Sequence, residues 1–362
     1  MRTSIRAALF FVLGAAVVAP GAHAATFEPM LGLEEREAGP RPYLAPIGQL
    51  LLDGSYDEAE RRARAETEAD PEDPFAWEIL GVALALQGDA DAADAALARA
   101  VEIDPFRLSA MVKRGDIAEA TGDVESALAR WREALAVAPD YPPAHARLGA
   151  VAAERDEVET AIDHLEKALP AEPADQPALR SDLALMYNRA GRPGDALATL
   201  ERWEAAAAAG EAAPPKTMRA LGNAHVALGD FETALARYRL GLEAAPGHPG
   251  LSIALGATLR ASGDAEAAVR ALEAPAATDP PGAFPNAELA RALLTLGRWR
   301  EAAEAAERAV TAGGAADPAL FPLATRAHLA AGDVEAALDA AERYADAHPD
   351  DPAAWRERGS VL

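Results

Sequence analysis

Arg219 and Asn223 stand four residues apart, which places a guanidinium fork and an amide on the same face if the stretch is helical. Pointing together, they can hold a carboxylate with charge-assisted hydrogen bonds. Other chemistry finds little to work with. Of the seven histidines, those beyond residue 24 are His145, His164, His225, His248, His328 and His348, and none sits in an H-E-x-x-H or comparable ligand spacing. Asp89, Asp91 and Asp94 resemble the start of a calcium loop, but its sixth place has no glycine and Ala100 occupies its twelfth, where a bidentate Glu is needed. No phosphate-binding loop, dinucleotide fingerprint or G-x-S-x-G elbow is present. The chain has no cysteine, which excludes disulfides, thiolate metal sites and a cysteine nucleophile. The sequence therefore predicts a protein that is not an enzyme, binds no cofactor and has no metal site.

The elements that must position any site follow from a period. Ala59, Ala93, Ala127, Ala161, Ala196, Ala234, Ala268, Ala302 and Ala337 recur at close to one interval through the chain. Five residues before each lies a turn residue: Gly54, Gly88, Gly122, Gly191, Gly229, Gly263, Gly297 and Gly332, with Asp156 as the departure. Glycine suits a helix that ends in the left-handed conformation, and the acid that often follows suits the start of the next helix. Pro71, Pro105, Pro139, Pro173, Pro246, Pro280 and Pro349 then stop the second helix. Between the stops, apolar residues such as Leu80, Leu84, Leu97 and Val101 keep the spacing of a buried helix face. Gly81, Gly115, Gly149, Ala184, Gly222, Gly256 and Ala290 let two helix backbones approach closely, and Trp77, Trp131 and Trp355 are expected to pack.

The stretch Trp77 to Pro105 reads W-x2-L-G followed by A-x3-L-x2-A-x4-P, which resembles the tetratricopeptide repeat. The resemblance implies an all-α fold, a tetratricopeptide α-solenoid in which helix-turn-helix units stack into a right-handed superhelix. It covers about residues 40–362, with units near 40–73, 74–107, 108–141, 142–176, 177–214, 215–248, 249–282, 283–317 and 318–351, and a half-unit, 352–362, expected to act as a cap. Three departures stand out. The second helix around Ala196 is expected to run on through Trp203 to Ala209, with a looser connection at Gly210 to Pro215. Pro275 is expected to shorten its helix, and Gly314 replaces a terminal proline.

In the family, the first helix of each unit lines an inner groove. Carried onto this sequence, the exposed groove places hold Glu78, Asp116, Glu119 and Glu154 in the earlier units. In the later units they hold Asn188, Arg189, Lys216, Arg219, Asn223, Arg260, Arg291 and Arg326. The resemblance thus implies an acidic N-terminal groove and a basic C-terminal one. Arg219 and Asn223 look like half of the family's carboxylate clamp, whereas Ala254, Phe284 and Glu288 depart from the rest of it.

Composition bounds the partner. With 34 basic against 58 acidic residues the net charge is −24, which argues against general binding to nucleic acid or an anionic membrane. Residues 1–24 carry Arg2 and Arg6, an apolar run from Ala7 to Ala19, and Ala22-His23-Ala24, the three-part form of a signal peptide; residues 25–39 read as a linker. The run is too short to span a membrane. The expectation is a periplasmic, or alternatively secreted, scaffold that binds a protein or peptide segment in its groove, in envelope assembly. The alternative is a subunit of a polysaccharide synthesis or export machine that contacts an acidic polymer.

Overall fold

A computed structural model of the chain describes residues 42–169, 176–277 and 282–362. The expected leader and linker, 1–39, lie outside the described residues. No strand occurs among those described, and every regular element is helical apart from the turns. No described helix is long and apolar enough to cross a membrane.

The chain divides into two compact units, Met1–Glu172 and Pro173–Leu362. The division falls earlier than the loose connection expected at 210–215. In the first unit lie α1 (Leu44–Leu52), α2 (Tyr56–Ala69), α3 (Pro74–Gln87), α4 (Ala90–Ile103), α5 (Leu108–Ala120), α6 (Val124–Val137), α7 (Pro142–Glu154) and α8 (Val158–Ala168). The second unit holds α9 (Pro177–Arg189), α10 (Pro193–Thr199), α11 (Glu201–Ala208), α12 (Pro215–Ala227), α13 (Phe231–Ala244), α14 (Pro249–Ala261) and α15 (Ala265–Ala276). It continues with α16 (Ala283–Thr295), α17 (Trp299–Gly313), α18 (Leu320–Ala331), α19 (Val334–Ala347) and α20 (Pro352–Val361).

The turn chemistry accounts for each hairpin. At the end of α3, Gly88 has φ +86°, and the amides of Gly88 and Asp89 donate to the carbonyls of Ala85 (2.8 Å) and Leu84 (3.0 Å). These bonds satisfy carbonyls that the helix end leaves open. The Asp89 carboxylate then accepts from the Ala92 amide and caps α4. Asp123, Asp230, Asp264 and Asp333 cap α6, α13, α15 and α19 in the same way. Asp156 is the non-glycine residue with positive φ among those described, at +61°. Asp tolerates that conformation better than most side chains.

Close packing within a hairpin pairs a small residue with a large one sixteen positions later: Gly81 with Leu97, Gly115 with Trp131, Gly149 with Leu165, Gly222 with Tyr238 and Gly256 with Leu272. A methyl group on Gly115 would lie 2.3 Å from the Trp131 indole nitrogen, and one on Gly222 would lie 2.2 Å from Cε1 of Tyr238. Glycine is therefore required by space at these two places rather than by backbone angle.

The departures from the regular unit differ in outcome. The helix around Ala196 does not run on unbroken: it breaks at Leu200 into α10 and α11. The Leu200 side chain is fully buried, and its amide is shared between the carbonyls of Ala196 and Leu197. Pro275 lies inside α15, which ends one residue later, two residues short of the fourteen in α4, α6 and α13. After Gly313 the chain makes a 3-10 turn, Gly314–Ala316, which takes the place of a proline stop. Trp131 is buried as expected, but Trp355 is about half exposed, with its indole N–H donating to the Pro349 carbonyl.

Two of the four acids expected in the N-terminal groove are buried instead, while Glu119 is half-buried and Glu154 exposed. Glu78 on α3 is buried and accepts from Arg107 Nε (2.5 Å) and from Lys113 Nζ on α5 (2.7 Å). Burial pushes the Glu78 carboxyl up, but the charges of Lys113 and Arg107 outweigh it and hold the group below the usual carboxylate range. Asp116 on α5 is buried as well; it takes both arms of Arg147 from α7, at 2.8 and 3.0 Å, and the indole N–H of Trp131. These acids join neighbouring first helices instead of facing a ligand. Asp94, one of the calcium-loop candidates, is likewise held by both arms of Arg114.

Candidate binding site

The eight residues expected in the basic groove fall into two sets. Asn188 on α9 is half-buried and donates to the Ala220 carbonyl of α12 at 2.9 Å. Arg189 is exposed at the end of α9. Lys216 on α12 pairs with Asp182 on α9. The Asn223 carbonyl accepts from the Tyr238 hydroxyl at 2.8 Å, and the Arg219 guanidinium lies against Gly250 of α14. The amide and guanidinium of the half-clamp thus meet separate neighbours, and hydrogen bonds and an ion pair from most of this set tie α9, α12 and α13 together.

Arg260, Arg291 and Arg326 form the second set. They sit on α14, α16 and α18, the first helices of three successive hairpins, and line one cavity of about 480 Å³. Leu294, Leu323 and Trp299 make up much of its remaining wall. The repeat explains the convergence, because equivalent faces of successive first helices recur in register. Trp299 opens α17, two residues after the positive-φ turn at Gly297. The residue is 43% exposed.

Glu288 on α16 anchors two of the three guanidiniums. It is buried, and its two oxygens accept from Arg260 Nε at 3.0 Å and Arg291 Nη1 at 2.5 Å. Each guanidinium has five N–H donors, so a single bond to Glu288 leaves others available. No ion pair to Arg326 occurs among the described residues. Three guanidiniums and no carboxylate of the described residues line the cavity, whose wall therefore carries positive charge in a chain whose net charge is −24.

The sequence marks the three arginines but not Trp299 or the part played by Glu288. A signal for Trp299 exists. Two residues after each turn stand Tyr56, Ala90, Val124, Val158, Pro193, Phe231, Ala265, Trp299 and Val334, and tryptophan is the largest of them. That Trp299 lines the same cavity as the arginines depends on the packing of α16 and α18. Glu288 reads as a departure from the clamp pattern, whereas the structure makes it the anchor for Arg260 and Arg291.

Three models described as tetratricopeptide repeat match the chain: one over residues 145–274, one over 50–107 and 112–177, and one over 318–361. Together they cover most of it. No curated protein matches. Among solved structures, a tetratricopeptide repeat protein from Parabacteroides merdae aligns at 15% identity with a TM-score of 0.56, covering 71% of this chain and 99% of that one. The Cut9–Hcn1 hetero-tetramer of the APC/C aligns at 14% identity and a TM-score of 0.47, covering 98% of this chain and 63% of that one. MamA from Desulfovibrio magneticus RS-1 aligns at 21% identity and 0.42, over 49% of this chain and 98% of that one. The fold comparison rests on the first of these, and its low identity carries the fold alone. Repeated hairpins with glycine turns and aspartate caps, the three model matches and this shared fold give one conclusion: the chain belongs to the tetratricopeptide repeat family, a family of protein–protein interaction scaffolds.

Proposed function

We propose that the protein is an exported, periplasmic scaffold that holds an extended segment of a partner protein against the first helices of its second unit, in assembly of the cell envelope. The observation that supports this reading is the convergence of Arg260, Arg291 and Arg326 on one cavity, with Glu288 as the shared acid of the first two. Lys216, Asn188 and Asn223 act as struts between helices, so the partner is held mainly by the face from α14 to α18. Export is supported by the leader-like residues 1–24. Each guanidinium that meets a partner acid contributes on the order of 1 kcal/mol when partly desolvated, so a useful affinity draws on several contacts.

The test is crosslinking capture from the envelope with the wild-type chain and with Arg326→Glu. Arg326 is exposed, so its reversal leaves the helical circular dichroism unchanged while capture of the partner is lost. Undiminished capture would overturn the reading. Titration with uronic-acid oligomers at low salt separates the polysaccharide alternative, which requires saturable binding that Arg326→Glu abolishes.

A further inference from the structure

The cavity has two kinds of wall, and both constrain what enters it. Its charged wall is Arg260, Arg291 and Arg326; its apolar wall includes Leu294, Leu323 and Trp299. Resting on the scaffold reading above, we propose that this cavity is a subsite for one acidic side chain, Asp or Glu, together with a large apolar or aromatic side chain close to it in an extended partner segment.

Size comes first. About 480 Å³ falls within the range of pockets that enclose a small ligand, room for a pair of side chains but not for a folded element. Residues i and i+2 of an extended chain point the same way, so an acid and an aromatic two places apart enter together. Charge comes next. Glu288 fixes Arg260 and Arg291 before any ligand arrives, so less side-chain freedom is lost on binding. The donors that Glu288 leaves over, with those of Arg326, match the lone pairs of a carboxylate.

The net charge of the whole chain decides between a short acidic motif and a long polyanion. A nucleic acid or a uronic-acid polymer would extend beyond the cavity and meet the field of a protein carrying −24. A single carboxylate within the cavity lies closer to the arginines than the roughly 8 Å over which salt screens distant charges, so the local attraction prevails. Trp299 adds the second selection: as a half-exposed cavity residue it gains from covering by an aromatic or large aliphatic side chain, and a bare anion leaves it wet. The ligand that satisfies both walls is an acidic-apolar peptide motif.

The experiment uses the full chain and end-blocked, fluorescein-labelled peptides with a central Glu-Ser-Phe, Gln-Ser-Phe, Glu-Ser-Ser or phosphoSer-Ser-Phe, read by fluorescence anisotropy. For the wild type, replacing the Glu or the Phe of the probe weakens binding about tenfold each, the size expected for losing one charge-assisted bond or one aromatic contact. Arg326→Gln weakens the preference for Glu over Gln but keeps the preference for Phe over Ser. Trp299→Ala does the reverse. A variant whose melting curve departs from the wild type is replaced by Arg326→Lys or Trp299→Leu, which keep charge or bulk and weaken the same preference in part. Equal binding of the Glu and Gln probes, loss of both preferences in one variant, tighter binding of the phosphoserine probe, or no binding of Glu-Ser-Phe at millimolar concentration would overturn the proposal. If Arg326→Glu abolishes partner capture while the Glu and Gln probes tie, the scaffold reading stands and the carboxylate subsite fails. If the probes discriminate while partner capture ignores Arg326, the subsite stands and the scaffold reading fails.

Discussion

The two units treat a buried carboxylate on a first helix differently. In the first unit, Glu78 is clasped by Arg107 and Lys113, whose side chains are only 7% and 11% exposed. In the second unit, Glu288 is clasped by Arg260 and Arg291, whose side chains are 31% and 34% exposed. The motif is similar, an acid between two cations, but the depth of the cations changes its role. Deep cations are consumed in joining neighbouring helices. Shallow ones are anchored at one nitrogen and present the others to solvent, which is what a binding site requires.

The largest expected effect follows from that difference. Glu78→Ala strands two buried cations and costs about 3–5 kcal/mol, whereas Glu288→Ala leaves cations that water can reach and costs about 1–2 kcal/mol. Urea unfolding of the two variants measures both, and equal costs would break the comparison.

A second test asks what the units share. Gly115→Ala sets a methyl group against the Trp131 indole, and Gly222→Ala sets one against the Tyr238 ring. Both rings are buried and planar with little room to yield, so each substitution costs about 1–3 kcal/mol. Thermal melts that show the loss in one unit only would mean that the small-to-large pairing is not a common device.

pH separates the units more gently. In the first unit, His145 Nε2 lies 2.8 Å from the Pro139 carbonyl, and its Nδ1 lies 2.8 Å from His164 Nδ1. Burial, then the charge of His145, with smaller contributions from Lys167 and Arg132, pushes the His164 imidazole below its ordinary 6.5, against the opposing pull of Asp163. The unfolded chain then binds more protons than the folded one, so stability is full above about 6.5 and declines as the pH falls through that value. His164→Gln, whose amide can still hydrogen-bond with His145, flattens the dependence. Melts between pH 7.5 and 5.5 check it, and an unchanged slope in the variant would assign the pH dependence elsewhere. The smallest effect belongs to Trp299→Ala, which removes a half-exposed ring and costs under about 1 kcal/mol of stability despite its predicted effect on binding. A larger loss in chemical denaturation would move Trp299 from the binding wall to the core.

Much of the fold is legible in the sequence because its causes are local. A glycine that must take positive φ, an aspartate one residue later that caps the next helix, and a proline that halts the chain act within a few residues, and their spacing repeats. The break at Leu200 is not legible, because an alanine-rich stretch through Trp203 to Ala209 has strong local helix preference and the burial of Leu200 is a tertiary matter. The candidate site is partly legible. Arg260, Arg291 and Arg326 stand out at recurring places, but Lys216, Arg219 and Asn223 stand out equally, and the structure draws these to neighbouring helices.

By itself, the sequence determined the repeating hairpin, the residues that turn and cap it, and the family, since each depends on residue type at fixed separation. Only the tertiary structure decided which charges are free. Glu78 and Glu288 are the same residue type on first helices of similar hairpins; the difference lies in how deeply the neighbouring helices bury their cationic partners, a distance no repeat register encodes.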